Sequence, residues 1–260
     1  MQVDHKPTKI LIVGKSGSGK STYQTRYVSA GKFNRFFIFD HKTEFAKRCG
    51  FELSFSLADI AERIKKGETH LCYHYSQEYP GESETAFQDW CEFVYDFCNH
   101  MEADSDGGAG NSLFVCDEVN RFTTTSDMGG PFKQLIEDGR LQGIDFIGTS
   151  HASNQISNRL RLQLSEIVAL KTIDPRPLQF LEECGFDPEE VSALDTGQFI
   201  CKNLDRDIFV RGRLFACNSQ ADGSNEEAEP ESDESDSQPT PLETQGENDG
   251  PLPVPASHDH

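Results

Sequence analysis

The residues with the clearest capacity for chemistry lie in "VGKSGSGKST", Val13 to Thr22, where Gly14, Gly19, Lys20 and Ser21 fill the spacing G-x-x-x-x-G-K-S/T. Gly17 adds a further position able to take a positive φ. A loop of this kind points backbone N–H groups at a chain of phosphates, and the helix that starts behind it adds the positive end of its dipole. Lys20 then reaches the β and γ oxygens, and Ser21 is a ligand for Mg2+. Lys15, Ser16, Ser18 and Thr22 complete the stretch that would surround the nucleotide. The expected ligand is a nucleoside triphosphate, with ATP and Mg2+ as the pair.

About a hundred residues on, "SLFVCDEVN" puts Asp117 and Glu118 directly after an apolar run. A carboxylate at the end of a buried parallel strand faces the phosphate loop. Asp117 is therefore a candidate to hold the metal through water, and Glu118 to orient and deprotonate an attacking water. Such a pair favours hydrolysis over phosphoryl transfer, because a kinase must position an acceptor instead of activating water. A further apolar run, "GIDFIGTSHASNQ", ends in Thr149, Ser150 and His151. Ser150 is read either as a sensor of the γ-phosphate or as the cap of the helix that follows.

These groups need a scaffold that delivers them to one edge. Short β-branched or aromatic runs alternate with longer amphipathic ones, the pattern of βαβ units around a mainly parallel sheet flanked by helices. Strands are expected at 9–13, 35–39, 70–75, 112–116, 145–150 and 166–172, and "GQFICKNLDRDIFVRGRLF" reads as a C-terminal antiparallel hairpin. One helix is predicted over about 84–101, where Phe87, Trp90, Val94, Phe97 and Cys98 recur at helical spacing. Another is predicted over about 57–66, opened by Ser56 and Asp59 in a capping pattern.

From 217 to 260 there are 12 acidic residues and no Lys or Arg, so this stretch is expected to be a disordered acidic tail behind a domain spanning 1–216. Residues 1–216 hold all 24 basic residues and 32 of the 44 acidic ones, a net charge of −8. That balance excludes a general nucleic-acid coat, whose affinity comes from basic side chains displacing counterions. Any DNA contact must be local. The cysteines show no C-x-x-C pair and several lie in apolar runs, which reads as buried thiols in a reducing compartment. The N-terminus lacks a signal-peptide core, and no apolar run approaches the ~20 residues of a membrane span.

Taken in order, "VGKSGSGKST", "FFIFDHKTEF", "LFVCDE", "GRLQGIDFIGTSH" and "LRLQLSEIVALKT" resemble the FtsK-HerA superfamily of ring-forming DNA-pumping ATPases. Within it, the chain looks most like the genome-packaging ATPases of tailless, membrane-containing viruses with double jelly-roll capsids. The likeness covers about 9–215. It implies a RecA-like P-loop NTPase fold and a homo-oligomeric ring, a hexamer in this family, that drives double-stranded DNA into a preformed capsid. Capsid or membrane-vertex proteins would be its partners, and the host cytoplasm and virion its location.

Carried onto this sequence, the resemblance makes Asp40 a neighbour of the nucleotide and Arg140 an arginine that reaches the next subunit's γ-phosphate. Arg159 and Arg161 compete for that role. Where the family often carries Gln after the sensor hydroxyl, this chain has His151. The segment Asn120 to Lys133, flanked by Arg121 and Lys133, is the candidate DNA-contacting loop. A filamentous-phage-type export ATPase and a P-loop phosphotransferase remain the alternatives.

Overall fold

The computed structural model describes residues 7–31, 33–104 and 111–215, so the expected acidic tail lies outside the described residues. Nine strands form one sheet: β1 (Lys9–Val13), β2 (Arg35–Phe39), β3 (Leu53–Ser54), β4 (His70–Tyr73), β5 (Ser112–Cys116), β6 (Ile144–Ser150), β7 (Glu166–Leu170), β8 (Gln198–Asn203) and β9 (Ile208–Arg213). Their order is β3-β4-β2-β5-β6-β1-β7-β8-β9. Every pairing from β3 across to β7 is parallel, and β8 and β9 close that edge as an antiparallel hairpin.

The central strands are apolar at nearly every position because helices cover both faces. Period-two alternation divides them. Ile10, Ile12, Phe36, Ile38, Leu113 and Val115 pack with Tyr23 and Val28 of α1 (Lys20–Ala30) and with Phe45 of α2 (Glu44–Cys49). Leu11, Val13, Phe37, Phe39, Phe114 and Cys116 face the other way into a larger core. Helices α3 (Leu57–Lys65), α4 (Ser83–Asp104), α5 (Gly130–Glu137), α6 (Asn158–Gln163), α7 (Pro175–Glu183) and α8 (Pro188–Ala193) contribute to it. Trp90 and Phe87 on α4 are fully buried there, as the aromatic spacing predicted. The Ser56 hydroxyl accepts from the Asp59 amide at 3.1 Å, which opens α3 with the expected cap.

Two expected strands are shorter than predicted. The run 70–75 stops at Tyr73, since Tyr75 already accepts from the Tyr79 amide in a turn. The run 166–172 stops at Leu170, where the Lys171 carbonyl accepts from Lys15 of the phosphate loop instead of from a strand.

Register decides which residues meet. Val13 pairs with Ser150 and Ala169, Phe39 with Cys116, and Cys116 with Gly148. The loops after β1, β2, β5 and β6 therefore leave the sheet at one C-terminal edge, where ligands bind in open parallel sheets. Strand β6 lies between β1 and β5, so its last residues stand between the phosphate loop and the Asp117–Glu118 pair.

Candidate active site

The phosphate loop leaves β1 and enters α1 through Gly19, whose φ of 110° belongs to the left-handed side that glycine alone takes easily. A Cβ at Gly19 would also lie 2.9 Å from Leu214 Cδ1. Gly17 is left-handed as well, with φ 75°. Among the described residues, the amides of Gly17, Gly19, Lys20 and Ser21 donate to no backbone carbonyl, as an anion cradle requires. Lys15, Ser16 and Gly17 are exposed, Ser21 and Thr22 are half-buried, and Ser18 is buried with its hydroxyl unpartnered.

Lys20 Nζ donates to the Gly14 carbonyl at 2.8 Å and the Lys15 carbonyl at 2.9 Å, which holds the ammonium over the loop. Burial pulls its pKa below the ordinary lysine value, while the charges of Asp117 and Glu118 oppose the shift. That coupling places both carboxylates in the electrostatic field of the loop. Gln24, a residue the sequence reading passed over, anchors α1 from below. Its buried amide donates to the carbonyls of Cys116 (3.2 Å) and Ile147 (3.3 Å), tying the helix behind the loop to the end of β5 and the middle of β6.

At the end of β5, the Thr149 hydroxyl donates to Asp117 Oδ1 and accepts from the Glu118 amide at 2.9 Å. One side chain thus fixes both acidic residues. Ser150, read from the sequence either as the sensor or as the cap of the following helix, donates to Asn120 Oδ1 at 3.1 Å and accepts from the Ala152 amide at 3.2 Å. It braces the following turn. Thr149 occupies the position beside the Asp–Glu pair because it is next in register after the Cys116–Gly148 pairing.

Glu118 has φ 52°, a left-handed value rare for a side chain of this size. Its carboxylate is ringed by basic groups from three loops. Lys42 Nζ contacts Oε1, Arg121 Nε lies 2.9 Å from Oε2, His41 Nε2 lies 3.5 Å from Oε2, and His151 Nδ1 lies 3.9 Å from Oε1. Burial works to raise the Glu118 pKa, but the hydrogen bond and charge of Lys42, with His41 and Arg121, overcome it and leave the group below the ordinary carboxylate value. His41 is almost fully buried with neither ring nitrogen hydrogen-bonded, and burial lowers its pKa, which favours the neutral ring.

Asp40 is 2% exposed, and its Oδ2 accepts from the Ala46 amide at 2.8 Å. It holds the turn that carries His41 and Lys42. Its carboxylate is thereby committed to that turn's backbone.

The three arginines differ. Arg159 lies 3.5 Å from Glu137, and Arg161 lies 2.9 Å from Glu183 with its guanidinium 4.4 Å from the centre of the Phe180 ring. Arg140 is exposed in the turn after α5 and makes no ion pair among the described residues. Its charge is felt by Lys9 at the start of β1, so it stands at the opposite edge of the sheet from the phosphate loop. Arg121 and Lys133, the basic flanks of the 120–133 segment, are both engaged, with Glu118 and with Glu137 (3.9 Å).

No protein-family description and no curated sequence matches the chain. Solved structures do. The genome packaging NTPase B204 of Sulfolobus turreted icosahedral virus 2, in complex with ATP-gammaS, aligns with a TM-score of 0.61 at 17% identity over 80% of this chain and 98% of that one. The DNA-packaging ATPase B204 of Sulfolobus turreted icosahedral virus gives 0.60 at 16% identity over 80% and 98%. The plasmid coupling protein TrwB, in complex with ADP and Mg2+, gives 0.60 at 10% identity over 81% and 86%. At these identities the likeness is one of fold: the chain has the P-loop NTPase fold expected from its sequence, a mainly parallel sheet flanked by helices with a C-terminal antiparallel hairpin.

Proposed function

We propose that the chain is the ATP-hydrolysing subunit of a motor that moves double-stranded DNA into a preformed viral capsid, working as a homo-oligomeric ring. The observation that carries the catalytic part is the meeting of Lys20, Asp117, Glu118 and Thr149 at one sheet edge. The residues fit ATP and Mg2+: the loop supplies unused amides in a glycine-shaped cradle, and Ser21 and Asp117 supply hard oxygen ligands. The metal, when bound, neutralises charge on the phosphate oxygens. Lys20 binds the β and γ oxygens, Thr149 keeps Asp117 and the Glu118 backbone in place, and Glu118 takes the proton of the attacking water.

The fold shared with viral packaging NTPases supports the DNA-moving part, with other copies of the chain and capsid or membrane-vertex proteins as partners. In the exposed tip of the 120–133 segment, Thr124 to Asp127, the Asp127 carboxylate turns back onto the Met128 and Gly129 amides, while the tip presents the hydroxyls of Thr124, Thr125 and Ser126 and no basic side chain. Contacts of that kind grip phosphates without reading sequence. With ATP and Mg2+, the hydrolysis rate is expected to rise when duplex DNA of any sequence is added. A rate indifferent to DNA would remove the motor and leave an NTPase.

Arg140 is the arginine best suited to act in trans. It precedes β6 on the side of the sheet where β1 begins, close enough for its charge to act on Lys9. Lys9 stands about 16 Å along β1 from Gly14 at the usual strand rise, so Arg140 points away from its own loop. Beside it Leu141 is 76% exposed, and Leu162 on α6 is 84% exposed, which gives this side apolar surface for a neighbour to cover. Arg140→Ala mixed with wild-type subunits is expected to depress activity more than in proportion to its share. Strictly proportional loss would assign the residue to its own subunit.

A further inference from the structure

The four basic groups around Glu118 are not equivalent. His41 is buried and His151 is only loosely placed, whereas Lys42 and Arg121 make the close contacts and keep solvent-facing heads, 38% and 54% exposed. Lys42 takes Oε1 and Arg121 takes Oε2, so both oxygens of the carboxylate are engaged by cations. A carboxylate held at both oxygens is a poor acceptor for a water proton. Release from one of these cations raises the basicity that the work assigned to Glu118 needs.

We propose that Lys42 and Arg121 are a phosphate-recognising pair that restrains Glu118 and exchanges it for a phosphate oxygen, so that phosphate binding frees the catalytic carboxylate. The inference rests on the function proposed above and adds the control of its site.

Geometry supports the exchange. Arg121 approaches Glu118 Oε2 through Nε at 2.9 Å while its side chain is 54% exposed, so its guanidinium, the fork that suits a phosphate, is open to solvent. A phosphate in a nucleotide or a nucleic-acid backbone offers several anionic oxygens where Glu118 offers two, and both basic heads are reachable from solvent. The pair is also held from behind. Asp40 fixes the turn carrying Lys42 through the Ala46 amide, and Phe122 fixes the turn carrying Arg121 by stacking on Phe87 with ring centres 4.4 Å apart.

Two sources of phosphate reach the pair. Lys42 lies within the field of Lys20 and so faces the nucleotide side, while Arg121 opens the segment proposed to meet DNA. The shared chemistry is a phosphate oxygen, and two arms of one experiment separate the sources.

The full-length chain and the variants Lys42→Ala, Arg121→Ala, Lys42→Arg and Arg121→Lys are compared in DNA-free turnover, in stimulation by a blunt random-sequence duplex, and in ATPγS-to-ADP affinity ratio. If backbone phosphate is the key, the Ala variants turn over ATP without DNA about tenfold faster than wild type, the equivalent of one charge-assisted contact removed, and gain little from the duplex. If the nucleotide's own γ-phosphate is the key, DNA-free turnover does not rise and the ATPγS preference over ADP falls about tenfold. In either case Lys42→Arg restores wild-type behaviour and Arg121→Lys, which keeps the charge without the fork, restores it in part, which a merely structural role would not require.

Ala variants that keep wild-type turnover, stimulation and nucleotide preference would overturn the proposal. So would variants whose turnover falls while that preference stays intact. Wild-type ATPγS binding is measured first. Its absence overturns the proposed function together with this inference, whereas normal binding with unmoved variants overturns the inference alone.

Discussion

Lys20→Ala is expected to abolish ATP hydrolysis and to weaken ATP binding by roughly a hundredfold, the equivalent of about 3 kcal/mol from lost charge-assisted contacts to phosphate. The geometry explains why one side chain carries so much. Its ammonium is held over the loop by the carbonyls of Gly14 and Lys15, so a bound triphosphate meets a cation already in place. The loop's other contribution comes from backbone amides, which the substitution leaves untouched. Binding is therefore reduced and not erased, while turnover, which needs the γ-phosphate neutralised, is lost.

The fold should survive this change. Burial lowers the Lys20 pKa below 10.5, and a base whose folded pKa is lowered is one whose charged form folding disfavours at every pH below its unfolded value. At neutral pH the alanine variant sheds that cost, so its melting temperature is expected to hold. Titration calorimetry with ATP alongside thermal unfolding checks both halves. Wild-type affinity in the variant would remove Lys20 from the contacts to phosphate.

The contrast between the phosphate loop and the cluster around Glu118 shows what the sequence makes legible. The loop's chemistry is contiguous, so its spacing announces it, and strands 9–13, 35–39 and 112–116 fall where hydrophobic patterning puts them because each is buried from both sides. Position 149 was harder. Choosing Thr149 over Ser150 requires knowing that Cys116 pairs with Gly148, and register between strands distant in sequence is not written in either strand alone.

The basic ring around Glu118 is harder still. His41 and Lys42, Arg121, and His151 come from three loops that meet only because the strand order interleaves β2, β5 and β6. Asp40 teaches the same lesson from the other side. The resemblance directs it toward the nucleotide, and the structure adds a role its position does not announce: within the field of Asp117, its Oδ2 holds a turn through the Ala46 amide. Short elements also escape patterning: β3 has two residues and α2 six, too few for a period to emerge.

Glu118→Gln is expected to lower turnover by about 10² to 10⁴, the range for losing a positioned general base, while leaving ATP affinity near that of the wild type. Glutamine keeps the length and shape of the side chain and can occupy the same left-handed backbone position, but its amide cannot take a proton from water. The Lys42 and Arg121 contacts lose their charge, yet both partners are substantially exposed, and ion pairs of this kind contribute little to stability. Loss of turnover with binding retained would thus report chemistry and not misfolding. It also separates this substitution from Lys20→Ala, in which affinity and turnover fall together. Single-turnover hydrolysis under saturating ATP is the deciding measurement, because it isolates the chemical step from nucleotide exchange. If the glutamine variant hydrolyses at the wild-type rate, water activation belongs to another group. The argument that an adjacent Asp–Glu pair marks a hydrolase would then lose its force, and the phosphotransferase alternative would regain its standing.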